Sequence, residues 1–221
     1  MIIDSAIKLA DSCGLDAVSL RAVAGNLKAG PMRLYGFFHS KEEILDMMVD
    51  AVYAEIILGE GVLDDWREAC KHFSARLREA SVQHPWFPSL LGGRPHQGPN
   101  ALKYLENSLA AMQRSGDFRS IDDVLLAVRT VNAYVLGFIQ SEAAERRQES
   151  ATGLTKEEWR DRTHPYLLKR LATGQFPTIE RVVNDARHEV IDGGFEAGLS
   201  AVLMGIEQSF THSAAADVKR K

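Results

Sequence analysis

The chain has 221 residues, 45% hydrophobic and 25% charged, with a formal net charge of −4; it can bury one or two cores, and it lacks the overall basicity that draws a protein to nucleic acid. Two cysteines, Cys13 and Cys70, form no CxxC pair, which argues against a disulfide framework and fits a reduced cytoplasmic interior. The start MIIDSAIKLADSCG has no basic n-region, and no window approaches the ~18 consecutive apolar residues of a membrane span, so a cytoplasmic protein with no membrane partner is expected.

Nearly every periodic segment has the helical period, and no alternating β-branched run is flanked by hairpin turns, so the predicted class is all-α. A first helix is expected over about 2–13, ending at Gly14 as a left-handed residue. Ser19 caps a second helix running to about Leu27. Gly30-Pro31 opens a third, since proline suits a first turn whose N–H is not needed. Ser40-Lys41-Glu42-Glu43 reads as a capping box, with the Ser40 hydroxyl accepting from the Glu43 N–H and the Glu43 side chain reaching back. It starts a long fourth helix, ending near Gly59 and Gly61, on which Leu45, Val49, Val52 and Ile56 share a face with Met48 alongside. Further helices are expected at about 64–83, 98–115, 121–148, 155–173 and 194–211. Pro85, Pro88, Pro95 and Pro99 break the chain between the first two of these. Leu102, Leu105, Leu109 and Met112 step along one helix face. Residues 149–159 read as an exposed connection, with Thr155 and Glu158 placed to cap the next helix; Gly174 to Pro177 breaks the chain again.

A short helix, a tight turn containing Gly30 and a second short helix match a helix-turn-helix, which lays its second helix in the DNA major groove. From Ser19 to Lys41 the chain carries the bases Arg21, Lys28, Arg33 and Lys41 and no acid, while Asp16, Glu42 and Glu43 lie just outside. Ser19, Tyr35, the Gly30 amide and the amides after Ser40 add donors suited to phosphate. An acid-free run is weak by itself, because 80–105 is another. Leu20, Val23, Ala24, Leu27, Leu34 and Phe38 read most simply as core. The case lies in acid depletion, two short capped helices and their place near the amino end together.

The run from Ile3 through Gly14, then SLRAVAGNL and GPMRLYGFFHSKEEIL, resembles the DNA-binding domain of the TetR family of transcriptional regulators over about residues 3–55. Its LYxxFxxKxE core is Leu34, Tyr35, Phe38, Lys41 and Glu43. Downstream, WREAC, QHPWFPSLLGGRP, GPNAL, AYVLGF and GQFPTI are similar to the ligand-binding domain of the tetracycline-repressor-type branch. Gly36 and Phe37 depart from a pattern that more often has Arg or Trp, then His. Gly36 costs about 1 kcal/mol of helix propensity relative to Ala and removes a possible base contact. The basic arm seen ahead of the first helix in some members is also missing. The resemblance implies that Arg21, Met32 and Arg33 face base edges, while Ser19, Lys28, Pro31, Tyr35 and Lys41 hold the DNA backbone. Arg33 is the expected guanine reader, because a guanidinium contacts O6 and N7 together; the alternative is a solvated surface arginine.

The remaining chain is rich in aromatic residues such as Trp66, Phe73, Phe87 and Tyr134, for which a core position is the plainer alternative. His84, Arg94, Asn100, Asn132 and Glu142 sit on or beside apolar faces, where each must find a partner or face water. A few convergent polar groups in an apolar, helix-lined cavity describe a small-molecule site. The resemblance places that site among 64–83, 98–115, 121–148 and the 84–99 connection. It implies Trp86, Leu90, Arg94, Asn100, Tyr104, Asn132, Phe138 and Glu142 as ligand-binding residues, a structural role being the alternative for each. An aromatic or amphipathic effector is expected. Some relatives bind a drug–metal chelate, but no HxxxH or CxxC spacing supports a metal here, and no cofactor is expected.

Helices 121–148 and 194–211 are apolar on more than one face: Ile121, Val124, Leu125, Val128, Val131, Val135 and Ile139 in the first, Leu199, Val202, Leu203 and Ile206 in the second. Such helices must be covered on several sides, and the resemblance implies a homodimer joined by them, as a palindromic operator requires. The expected protein is a ligand-responsive repressor. Its helix-turn-helix domain spans 1–55, its ligand-binding and dimerisation domain 56–213, and a disordered tail 214–221. The effector would move the central helices and, through the Leu45/Val49/Val52 helix, change the spacing of two reading heads. An enzyme is not expected: there is no GxSxG elbow, P-loop or HExxH, and GEGVLD (59–64) lacks the third glycine of a dinucleotide fingerprint. The Glu142/Glu145 pair reads more simply as a solvated or dimer-edge feature. The other rival, a helical adaptor that binds only protein, is separated by salt-sensitive duplex binding.

Overall fold

Caps and inward-facing stripes define the helices seen in the computed structural model, which describes residues 1–30, 34, 36–57, 65–186 and 194–210. Helix α1 (Ile2–Cys13) buries Ala6, Ile7 and Ala10. Gly14 ends it with φ 82, as expected, but with ψ 166, extended rather than helical. A 3₁₀ turn at Leu15–Ala17 leads to α2 (Leu20–Asn26), which buries Leu20, Val23 and Ala24. The Ser19 hydroxyl starts α2 by accepting from the Ala22 N–H at 3.2 Å. The closing turn rests on Lys28, at φ 52. Its N–H bonds the Gly25 carbonyl and the Ala29 N–H bonds the Ala24 carbonyl, both at 3.0 Å, a Schellman arrangement built on a lysine instead of glycine. Pro31, Met32, Arg33 and Tyr35, and with them most of the expected third helix, lie outside the described residues; Leu34 and Phe38 beside them are buried.

Helix α3 (Lys41–Ile57) buries Ile44, Met48, Val49, Val52 and Ile56. The Ser40 hydroxyl accepts from the Glu43 N–H at 3.2 Å, as expected. The Glu43 carboxylate, however, passes Ser40 and takes the His39 N–H at 2.8 Å, so the box is completed one residue early. The expected end near Gly59 and Gly61 lies outside the described residues. Helix α4 (Trp66–Gln83) buries Trp66, Ala69, Cys70, Phe73, Ser74, Leu77, Ala80 and Ser81. A 3₁₀ turn, Phe87–Leu90, interrupts the proline-rich connection to α5 (Pro99–Ser115).

The start of α5 is capped by another helix. Asp50 of α3 accepts the Asn100 and Ala101 N–H groups on Oδ1, both at 2.9 Å, and the Asn100 side-chain amide on Oδ2 at 2.8 Å. These amides have no partner within their own helix, and a carboxylate suits the positive end of the helix dipole. A Cβ at residue 98 would overlap the Asp50 carboxylate, so this close approach requires Gly98. The cap also corrects the expected α5 face. With Ala101 fixed toward α3, the buried set is Ala101, Tyr104, Ala111 and Met112, while Leu102 and Leu105 are exposed and Leu109 is half-buried.

Helix α6 (Ile121–Thr152) is capped by Ser120 and continues through residues expected to form a connection; only 153–155 separate it from α7 (Lys156–Leu171). The Thr155–Glu158 capping box is present in full. Helix α8 (Pro177–Asp185) was not expected, since Pro177 read as a breaker where it serves as a first-turn residue. Helix α9 (Gly194–Phe210) buries Phe195, Leu199, Leu203 and Ile206. Contrary to the sequence reading, α6 is long and apolar enough to cross a bilayer by length and composition; here it packs on α4, α5 and α9. Helix α3 packs on α1, α4 and α5, and most of the buried apolar residues form one cluster from Ala6 to Ile206.

Burial, with a smaller contribution from the Asp65 charge, pushes the Cys70 thiol up to about 12, whereas Cys13 is exposed at the end of α1. Because the thiolate is the nucleophile, iodoacetamide at mildly alkaline pH will modify Cys13 readily and Cys70 only after denaturation, as peptide mass mapping will show. Replacing Asp50 with Ala is expected to cost about 1–2 kcal/mol, the typical worth of an N-cap, and Gly98→Ala at least as much. Both losses are measurable by urea unfolding.

Candidate functional site

Two groups of functional residues were expected, one for DNA and one for a ligand. Of the DNA group, Ser19 is the α2 cap, Arg21 is exposed in the first turn of α2, and Lys28 is exposed on the closing turn. Lys41 donates one hydrogen bond to the Leu15 carbonyl at 3.2 Å, which ties α3 to the turn before α2; an ammonium has two further donors. Pro31, Met32, Arg33 and Tyr35 lie outside the described residues.

The ligand group divides. An interior cavity between α4, α5 and α6 is lined by Cys70, Phe73 and Ser74, by Tyr104, Ser108 and Met112, and by Val128, Val131 and Asn132. Its free volume is about 20 Å³, room for about one water molecule. Of the expected residues, Tyr104 and Asn132 face it. Sequence reasoning missed the other seven, although each wall is a helical stripe, at i, i+3, i+4 or i, i+4, i+8, with one small polar residue: Ser74, Ser108 or Asn132. Tyr104 joins an aromatic group, with Tyr53 at 5.2 Å and Phe73 at 5.8 Å between ring centroids. Burial pushes the Tyr53 phenol up to about 12, so it stays a neutral hydroxyl.

Phe138 and Glu142 belong to a second cluster, on the side of α4 and α6 that faces α9. The Arg78 guanidinium donates to both Glu142 oxygens, at 2.6 and 3.1 Å, and reaches Glu196 at 3.5 Å. It also lies over the Phe195 and Phe138 rings, at 4.9 and 5.4 Å. The Glu142 hydrogen bonds raise the Arg78 pKa further above its already high value. Tyr134 donates to the Gly194 and Phe195 carbonyls at 2.9 Å, fixing the start of α9, and burial foremost raises its pKa. Beside Arg78 an open groove of about 450 Å³ is lined by Ala75, Val82, Gln83 and Phe195 among others.

The remaining expected residues sit along the seam between the first three helices and the rest. Asn100 is committed to Asp50. Arg94 is exposed in an open groove with Asp46, Met47 and His96, and the half-buried Leu90 accepts from His96 through its carbonyl at 3.1 Å. Trp86 is buried, and its indole N–H donates to Asp11 of α1 at 2.7 Å. Beside it His84, 3% exposed, places one ring nitrogen 2.9 Å from Asp11 and the other 3.2 Å from Glu55 of α3. Among the described residues no three His, Cys, Asp or Glu side chains converge as a metal-ligand set.

Comparison with known proteins agrees with this architecture. Residues 60–210 match the family described as tetracyclin repressor-like, C-terminal domain. The chain is 31% identical over 211 residues to the HTH-type transcriptional repressor DrrR1 of Streptomyces coeruleorubidus, which covers 93% of this chain and 76% of that protein. It is 36% identical over 150 residues to an HTH-type transcriptional regulator of Saccharopolyspora erythraea, covering 68% of this chain and 63% of that one. Among solved structures, the Streptomyces coelicolor TetR family protein ActR in complex with actinorhodin superposes with a TM-score of 0.76 at 25% identity, over 95% of this chain and 94% of that one. These relatives are transcriptional regulators, not enzymes. Every regular element among the described residues is a helix, and with matches that span the chain this protein belongs to the TetR family of transcriptional regulators.

Proposed function

We propose that the protein is a repressor released from a palindromic operator by a small aromatic or amphipathic molecule, acting as a cytoplasmic homodimer with no required metal or cofactor. The observation that carries the DNA reading is the α2 unit. Ser19 caps it, and the left-handed Lys28 turns the chain sharply only two residues after its last helical residue, within a stretch that holds four bases and no acid. Residues 1–55 form the reading head. Arg21, Met32 and Arg33 take the base edges; Ser19, Lys28, Pro31, Tyr35 and the free donors of Lys41 take phosphates. The relative DrrR1 is a repressor, which supports the sign of regulation.

Residues 56–213 sense the effector and form the dimer. The chemistry of the interior cavity, apolar walls with Ser74, Tyr104 and Asn132 turned inward, suits an aromatic ligand with a few polar groups. ActR, similar throughout its length, binds actinorhodin. A ligand of that kind needs hundreds of Å³, so occupancy must push α4, α5 and α6 apart.

Helices α6 and α9 are the proposed twofold interface. Only 33% of the most apolar window of α6 is buried within the chain. Ile121, Leu125, Leu126 and Met204 are large apolar side chains left exposed. Ala133 and Gly137 on α6, and Ala197, Ala201 and Gly205 on α9, extend that surface with small residues that permit close helix approach.

The test is binding to the inverted repeat in the DNA beside the gene. Affinity should fall at least tenfold between about 50 and 200 mM salt, as phosphate contacts require. Arg33→Ala should weaken it by about 10- to 100-fold, the worth of one bidentate base contact. Salt-insensitive binding, or none to any duplex, would favour the protein-binding adaptor. Met204→Glu should shift sedimentation from dimer to monomer and remove operator binding together; a dimer that persists would place the twofold interface elsewhere.

A further inference from the structure

We infer that His84 is the positioning residue through which the interior cavity sets the orientation of α1, and so of the DNA-reading head. The inference rests on the ligand-responsive reading above and names the contact that carries the response. His84 is the C-terminal cap of α4, the helix whose Cys70, Phe73 and Ser74 form one cavity wall. Its two ring nitrogens meet carboxylates on two different helices of the head, Asp11 on α1 at 2.9 Å and Glu55 on α3 at 3.2 Å. The same Asp11 oxygen accepts from the Trp86 indole at 2.7 Å.

The far end of this short segment is held by a second cavity helix. Gln140 of α6 donates to the Pro88 and Leu91 carbonyls, both at 3.2 Å. Phe87 between them is fully buried, its ring edge-on to Tyr53 of α3 at 5.8 Å. Residues 84–91 are therefore bonded to α4 and α6 on the cavity side and to α1 and α3 on the DNA side.

Apolar side chains can slide past one another with little loss, whereas a hydrogen bond weakens steeply as its distance and angle depart from the optimum. His84 is sealed from water, so it has no solvent partner to exchange for Asp11. When a ligand parts α4 from α5 and α6, the end of α4 has two courses. It carries Asp11 and α1 with it, or it releases them. Either course changes the setting of α2, which packs on α1. Because α1 is reached directly from α4, this route does not depend on the Asp50 cap between α3 and α5.

A double-mutant cycle on DNA affinity tests the inference without a ligand. Ser74→Leu puts into the α4 wall a side chain larger than the free volume and stands in for an occupant. Affinity is read by fluorescence anisotropy with a duplex that the wild-type protein enriches from a random library, and folding is checked by thermal melting. Ser74→Leu should weaken binding about tenfold or more, within the usual range of allosteric coupling, and by less than about twofold in a His84→Ala background. If His84→Ala does not fold, Asp11→Ala breaks the same contact from the other side. Asp11→Asn, which keeps an acceptor for Trp86 and His84, should restore the response. Equal losses in both backgrounds would overturn the role of His84 and leave the ligand-responsive reading intact. No effect of Ser74→Leu in the wild type, or no enriched duplex, would remove that reading and this inference with it.

Discussion

Carboxylates on the first three helices meet donors on the rest of the chain, and the relation of the two halves depends on these contacts. Asp50 closes the amide end of α5, while Asp11 and Glu55 hold His84 and Trp86 at the end of α4. The apolar packing of α3 against α4 and α5 supplies most of the favourable free energy, because burial scales with area. Area alone does not choose a register. A carboxylate with two or three donors has one good placement and is poor one residue away, and groups of this kind specify an arrangement more than they stabilise it. The seam thus combines an oily joint with a few directional stops, which suits the proposed switching of the head between two settings.

The cavity and the long helix are two sides of one arrangement. Helix α6 faces the cavity with Val128, Val131 and Asn132, faces Arg78 with Phe138 and Glu142, and leaves Leu125, Leu126 and Ala133 uncovered. In the proposed dimer, a helix in this position feels both the occupancy of the cavity and the contact with a second copy. The cavity between α4, α5 and α6 has about 20 Å³ free. On the proposed function, an effector of useful size does work on the walls of this cavity, and the His84 contact is the proposed route by which that work reaches the seam.

Features fixed by neighbouring residues were legible in the sequence. Ser19, Ser40 and Thr155 each cap through a hydroxyl and an amide three residues away, so the starts of α2, α3 and α7 could be placed from spacing. The family followed from the LYxxFxxKxE run and was borne out by relatives that span the chain. Features fixed by distant partners were not legible. The inward face of α5 is chosen by Asp50, fifty residues away; of the expected stripe Met112 is buried and Leu109 half-buried while Leu102 and Leu105 are exposed, and the buried alanines left no comparable signal. The eight expected ligand residues divide among the cavity, the Arg78 cluster and the seam, because a polar residue beside an apolar face signals that it has a partner without naming it. Asp11 lies in an ordinary amphipathic helix, and only the fold brings it to His84 and Trp86.

Whether cavity volume sets the spacing of the two heads is measured most directly by pulsed dipolar spectroscopy between spin labels on Cys13, which is exposed at the end of α1 while Cys70 is buried. In the operator-bound wild-type protein the account predicts one narrow distance between the two labels. In the free Ser74→Leu protein it predicts a displaced or broadened distribution. Identical distributions in the two, or no dipolar signal between protomers, would contradict it.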